Sequence, residues 1–313
     1  MRVLVAGATG AVGRRLVPEL VARGHNVVGT SRTRENAAGL RSLGATPAVL
    51  DLLDPTAVGD LVSRTEPEAI VHEATALSGI SDIKHFDRSF EMTNRLRTAG
   101  TDALVAAARD AGVRRFVAQS FAGWPYAREG GPVKTESDPL DPEPVDAMSE
   151  SLEAIRHLEA RVTEANGIVL RYGALYGEPD DAQVEVVRKR RFPVVGDGEG
   201  VWSFVHLDDA ASATALAVER GEPGIYNVVD DDPAPVSEWL PAMADALGAK
   251  PPRHVPRWLA QIVAGEVGVV LTTEVRGASN AKAKRELGWT LRHPNWREGF
   301  RTAYSTTAEA RAA

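Results

Sequence analysis

The chain holds no cysteine in 313 residues. Disulfides, a thiolate nucleophile and thiolate metal sites are therefore excluded, and any chemistry rests on hydroxyl, carboxyl, amino, guanidinium or imidazole groups. Long apolar runs are missing too, since nothing reaches the roughly 20 residues that a membrane-spanning helix needs. The opening residues read as a core strand and not as a signal peptide. Basic charge is sparse, with 36 Lys and Arg against 43 Asp and Glu, and the longest basic run is Arg188-Lys189-Arg190-Arg191. The resulting net charge of −7 argues against a nucleic-acid partner or an anionic membrane surface. Aromatic residues make up only 6%, and the seven histidines fall at no metal-ligand spacing. What remains is 43% hydrophobic and 25% charged, the composition of a globular protein, with a cytoplasmic enzyme acting on a small molecule as the expectation.

What is present organises itself around the first thirteen residues. Val3 to Ala6 is an apolar run too short for a helix, and it breaks into Gly7, Gly10 and Gly13. Ala11 to Arg23 then carries Val12, Leu16, Leu20 and Val21 at helical spacing. Glycines between a strand and a helix suit a dinucleotide pyrophosphate. Gly7 permits the tight exit, Gly10 keeps a Cβ out of the phosphate's path, and Gly13 allows close helix packing. Thr9, Ala11 and Val12 complete this turn, and the free amides of the helix start face the negative charge.

Strand signals at 3–6, 26–30, 46–50, 69–72, 115–118 and 168–171 alternate with helical patterns at 11–23, 35–43, 55–64, 86–111 and 147–164. Such alternation implies an α/β, Rossmann-type doubly wound parallel sheet, with ligands at the carboxyl ends of its strands. Residues 1–172, completed by segments near 202–229, are expected to form the dinucleotide-binding domain. Residues 173–201 and 230–302, broken by Pro241, Pro251, Pro252 and Pro256, would form a smaller C-terminal substrate lobe. Within 202–229 a strand is expected at Trp202–Leu207, with Asp208 or Asp209 capping the following helix. The Pro-, Gly- and acid-rich stretch 123–146 reads as a functional loop over the site.

The second strand ends Val28-Gly29-Thr30-Ser31-Arg32, with no acidic residue where a ribose 2′-hydroxyl would be held. The Ser31 hydroxyl and the Arg32 guanidinium, with Arg14 or Arg34 in support, suit a 2′-phosphate and make NADP the expected cofactor. Asp51 is placed either to hydrogen-bond the adenine amino group or to cap the helix that begins at Pro55.

The glycine turn, Asp51-Leu52, His72-Glu73-Ala74-Thr75, Asn94, Gln119-Ser120, Arg171 to Gly177, Phe204 to Asp209 and Tyr226-Asn227 are successive landmarks. Together they resemble the extended short-chain dehydrogenases, the NAD-dependent epimerase/dehydratase family. That resemblance implies a Rossmann domain with a small substrate lobe, Ala74 and Thr75 beside the cofactor, and Gly173 at the nicotinamide end. It also implies a Tyr-x-x-x-Lys pair one turn ahead of Glu159, where this chain has Ser151 and Ile155. The chain is thus similar to an atypical member. Ser120, matching the family's active-site Ser/Thr, and Tyr126, with Lys134 to lower its pKa, are the candidate catalytic groups, whereas His72 and His206 read as structural. An NADP-dependent oxidoreductase or epimerase/dehydratase-type enzyme acting on a small carbonyl, alcohol or activated double bond is expected. The alternative is an NADP-binding redox sensor without turnover. The helices within 86–111 and 147–164 are expected to pair two copies into a homodimer.

Overall fold

The computed structural model describes residues 1–77, 82–178 and 182–312. Its centre is a parallel sheet of seven strands. They are β1 (Arg2–Ala6), β2 (Asn26–Ser31), β3 (Thr46–Val49), β4 (Ala69–His72), β5 (Arg115–Phe121), β6 (Ile168–Tyr172) and β7 (Gly224–Val228). Their order across the sheet is β7, β6, β5, β4, β1, β2, β3, with Leu4 facing Val28 on one side and Ile70 on the other. Both faces of β1 are covered, so Val3, Leu4, Val5 and Ala6 are all buried, and the run reads as continuously apolar rather than alternating. The direction of winding reverses between β1 and β4, which opens a crevice at their carboxyl ends.

The connecting helices are α1 (Gly13–Ala22), α2 (Arg34–Ala38), α3 (Pro55–Thr65), α4 (Phe86–Arg95), α5 (Thr101–Asp110) and α6 (Ser149–Glu164). Later come α7 (Ala182–Arg188), α8 (Leu207–Arg220), α9 (Val236–Ala246), α10 (Arg257–Thr273), α11 (Ala281–Leu287) and α12 (Trp296–Ala312). Leu16, Leu20, Ala210 and Ala213 from α1 and α8 fill one face of the sheet. Leu61, Leu104, Leu158 and Val162 from α3, α5 and α6 fill the other.

Several boundaries differ from the sequence pattern for local reasons. The expected helix over 86–111 is interrupted by a π-helical turn, Leu96–Gly100, which keeps the apolar stripe while shifting its phase. The strand expected over Trp202–Leu207 splits at Ser203, whose carbonyl accepts from the Ala174 amide and whose hydroxyl accepts from the Ala278 amide. Pro241 does not break a helix but lies inside α9. The cap of α8 is His206, whose Nδ1 accepts from the Asp208 amide, while buried Asp209 accepts from the amides of Arg292 and His293.

The lobe beside the sheet is held by an aromatic cluster in which Phe204 packs at 5.2 Å on both Trp239 and Phe300. The long loop after β5 is fastened to it: Arg128 pairs with Asp141 at 2.9 Å and with Glu274 at 3.0 Å, and Val133-Lys134 pairs in parallel with Gly277-Ala278.

Candidate active site

Three glycines shape the crevice, each for a different reason. Gly7 has φ of +86°, and a Cβ there would sit 2.6 Å from the Ala74 amide nitrogen. A Cβ on Gly13 would stand 2.5 Å from the Gly7 carbonyl, so this glycine packs the helix start on the turn itself. Exposed Gly10 is different, because a Cβ there meets only the Gly7 oxygen at 3.3 Å and otherwise looks into open space. Among the described residues the Ala11 and Val12 amides donate to no protein acceptor, leaving donors at the positive end of α1.

The open space is a groove of about 930 Å³. It brings together Gly7, Thr9, Gly10, Ala11, Arg14, Ser31, Arg32, Leu52, Ala74 and Thr75, all named from the sequence, leaves out Arg34, and adds Asn36 and Glu73. Val12 and Gly13 are buried beneath it. Thr9 donates to Ser31 at 3.5 Å, which fixes the Ser31 hydroxyl at the rim, while Arg32 is exposed. Asp51 does not cap α3. Its Oδ1 accepts from the Leu53 amide at 3.0 Å, and the cap is Asp54, which accepts from Ala57. Gly173 stands outside the groove lining, and packing accounts for it: a Cβ would be 2.6 Å from the Ser203 carbonyl.

The proposed catalytic hydroxyls point into the protein. Ser120 is buried and donates its proton to Glu159 Oε1 at 2.7 Å. Glu159 in turn holds Arg171 through both carboxylate oxygens, at 2.8 and 2.6 Å. The Tyr126 hydroxyl accepts from Arg171 at 3.1 Å and donates to Asn227 Oδ1 at 2.6 Å. Burial holds the phenol above its ordinary pKa, against the opposing pull of Arg171. Tyr126 is thus a packed hydroxyl rather than an exposed proton donor. Lys134 is neither solvated nor next to that phenol: it is buried, donates to the Glu129 carbonyl at 2.6 Å and lies 3.6 Å from Asp138. Ser151 and Ile155 are also buried on α6, and the Ser151 hydroxyl accepts from Asn94 at 3.0 Å.

Where the carboxyl ends of β5 and β6 meet the lobe lies a small apolar pocket. Its walls include Phe121, Trp124, Ala174, Trp202, Leu271 and Val275. Its one hydroxyl, on Ser203, is engaged with the backbone of Ala278, and the Trp202 indole donates to the Leu271 carbonyl. Among the described residues no carboxyl, imidazole, phenol or ammonium group lines it.

Two buried ionisable groups carry no role in the sequence pattern. Glu73 lies on the groove with Oε2 unpartnered, and burial raises its pKa to about 8. Arg97, on the π-helical turn, is buried with Nη1 unpartnered; burial lowers its pKa to about 10, so the charge persists at neutrality. The adjacent His72 is held neutral, its pKa lowered to about 4 by burial. The structure also gathers His206, Asp208 and His293 within 4.8 Å, a grouping invisible in their sequence spacing. Hydrogen bonding explains it: His206 Nδ1 is the α8 cap, and Arg15 stands 3.5 Å from Asp208.

A doubly wound sheet with a glycine turn, free helix-start amides and a groove at its switch point defines a Rossmann-type dinucleotide-binding protein. Residues 3–228 match the NAD dependent epimerase/dehydratase family, and the chain belongs to that family. It is 43% identical over 310 residues to a 3-diazoavenalumate denitrifying reductase from a Streptomyces species, covering 96% of this chain and 99% of the relative. A 4-hydroxy-2-methyl-3-oxo-4-farnesyl-3,4-dihydroquinoline-1-oxide ketoreductase from Stigmatella aurantiaca is 29% identical, with 80% of this chain and 74% of the relative covered. Among solved structures, UDP-glucose 4-epimerase from Thermus thermophilus in complex with NAD superposes with a TM-score of 0.72 at 25% identity, over 100% of both chains.

Proposed function

We propose that this protein is an NADPH-dependent reductase of a small aromatic electrophile, and that it works without a side-chain proton donor. The observation that carries the reading is the apolar pocket, lined among the described residues by Phe121, Trp124 and Trp202 and by no ionisable group, whose free volume of about 30 Å³ must widen to take an aromatic ring. The glycine turn and the α1 amides would hold the pyrophosphate, Ser31 and Arg32 the adenosine end, and Ala74 and Thr75 the part of the dinucleotide beyond the pyrophosphate. The bound dinucleotide supplies a hydride, and its overall transfer to an arenediazonium makes a C–H bond, breaks the C–N bond and releases dinitrogen without proton uptake. Such a substrate needs no Tyr-Lys pair, which accords with Ser151 and Ile155 at those positions and with Ser120 and Tyr126 donating inward. Aromatic faces also attract a planar cation. The likeness to a denitrifying reductase supports the same class. The ketoreductase relative favours a second reading, carbonyl reduction, in which a proton must reach oxygen.

With NADPH carrying deuterium at the transferred position and an arenediazonium salt, the expected product is an arene bearing one deuterium, formed above the protein-free control. Deuterium entering only from D₂O, or oxidation by ketones but not by the diazonium, would overturn the proposal. Oxidation by neither would favour the sensor.

The same reading sets cofactor preference. Arg32→Ala is expected to weaken NADPH binding roughly ten- to a hundredfold, about 1.5–3 kcal/mol for a charge-assisted contact, with NADH little changed. Equal losses for both, measured by fluorescence titration, would mean that Arg32 only stacks on adenine.

A further inference from the structure

Glu73 ends the buried edge of the crevice, directly after β4, where its backbone packs against Gly7. Its carboxyl makes a chain of close contacts with two hydroxyls. Glu73 Oε1 lies 2.7 Å from the Tyr172 hydroxyl on β6, that hydroxyl lies 2.5 Å from Thr214 Oγ1 on α8, and Thr214 lies 2.7 Å from the Ala210 carbonyl. Three hydrogen bonds need three protons. The two hydroxyls supply two, and the Ala210 carbonyl can only accept. With Glu73 ionised, Tyr172 donating to its Oε1 and Thr214 donating to Ala210 leave the 2.5 Å contact between the two hydroxyls without a proton; a proton on the carboxyl, donated to Tyr172, frees the Tyr172 proton for Thr214.

The surroundings agree with an uncharged acid. Tyr172 and Thr214 are buried and neutral, neighbouring His72 on β4 is held in its neutral form, and Gln119 of β5 binds only the Glu73 carbonyl, at 3.3 Å. Among the described residues no cation pairs with the carboxyl, and Oε2 is buried without a partner, a heavy cost for an anion and a modest one for a carbonyl-like oxygen. Burial raises the pKa of this group to about 8, so the proton is retained at neutrality.

We propose that Glu73 lies beneath the dinucleotide site as a neutral carboxyl that makes no contact with the ligand, and that losing its proton expels the dinucleotide. The inference rests on the groove being the dinucleotide site. It follows because Glu73 borders that groove with its carboxyl buried beneath the lining, and an ionised carboxylate there would act on a ligand whose bridging phosphates carry two negative charges through a poorly screening interior. Below the pKa the groove offers only uncharged or cationic groups, Arg14 and Arg32 among them; above it an anion joins them.

The test is the dissociation constant of NADH, which lacks a titrating 2′-phosphate, from pH 6.5 to 9.5 for the parent and for Glu73→Gln, with melting curves at each pH. The parent is expected to bind evenly up to about pH 7.5 and at least tenfold more weakly by pH 9.5. Glu73→Gln, an isostere of the protonated form, should bind within about threefold of the parent at pH 7 and hold that affinity at pH 9.5. Carbon-13 NMR of carboxyl-labelled glutamate should show one resonance titrating near pH 8, absent from the variant and moved to higher pH by NADH. Parent and variant with the same pH profile, or a tenfold loss at pH 7 in a folded Glu73→Gln, would overturn the role of Glu73 alone. A parent that binds no dinucleotide at any pH would overturn the groove assignment as well.

Discussion

Glu159→Leu is expected to lower the unfolding free energy by about 3–5 kcal/mol, the usual cost of removing one member of a buried ion pair. Its carboxylate accepts from Nε and Nη2 of Arg171 and from the Ser120 hydroxyl, and Arg171 is itself buried. Burial opposes the Arg171 charge, yet the bonds to Glu159 outweigh it and hold that guanidinium above its ordinary pKa. Without Glu159 two buried guanidiniums, Arg171 and Arg97, lose their compensating charge. The network also ties β5, α6, β6, the loop at Tyr126 and β7 together, so the damage spreads beyond one contact. Replacing both partners, Glu159→Leu with Arg171→Met, should cost less than the sum of the single changes, because the Arg171 charge is no longer left unpaired and only Arg97 loses its distant counter-charge. Urea denaturation of the four proteins decides. A single-variant loss below about 1 kcal/mol would show the pair to be well hydrated and its role in the fold slight.

That network also explains where the sequence could be read and where it could not. The sheet was legible because β1, β4 and β6 are built on the buried apolar runs Val3–Ala6, Ala69–Val71 and Ile168–Leu170, with Gly7 marking the first turn. Groove residues from Gly7 to Ala11 were legible for the same reason: backbone geometry, not a distant partner, dictates them. Tyr126 was not, since its hydroxyl is claimed by Asn227 and Arg171, 101 and 45 positions away, and no local pattern announces such a contact. Lys134 looks like a surface lysine until the loop folds it under the Glu129 carbonyl. Glu73 follows a buried strand, and periodicity alone does not tell a groove-lining acid from an exposed one. The caps illustrate a smaller failure. Asp51 and Asp54 are equally good candidates by type, and only the turn at Leu53 separates them.

The groove assignment has its sharpest test at Gly10. Gly10→Val is expected to raise the dissociation constant for NADPH and NADH alike by more than a hundredfold, at least about 2.7 kcal/mol, while the protein stays folded. Two observations separate binding from folding at this position. The glycine is exposed and outside the left-handed region, and its added Cβ meets only the Gly7 oxygen at 3.3 Å, so the backbone needs to give by a few tenths of an ångström. Beyond that Cβ lies the groove itself, where the two methyls would fill space in front of the Ala11 and Val12 amides. Gly13→Val supplies the contrast. Its Cβ would lie 2.5 Å from the Gly7 carbonyl and 2.7 Å from the Ala8 backbone, so it should damage the fold first and binding as a consequence. Calorimetric titration beside thermal melts distinguishes the two. A folded Gly10→Val protein that binds within about threefold of the parent, well under 1 kcal/mol, would place the dinucleotide elsewhere, whereas lost binding with an unchanged melt leaves the phosphate path across Gly10 as the physical cause.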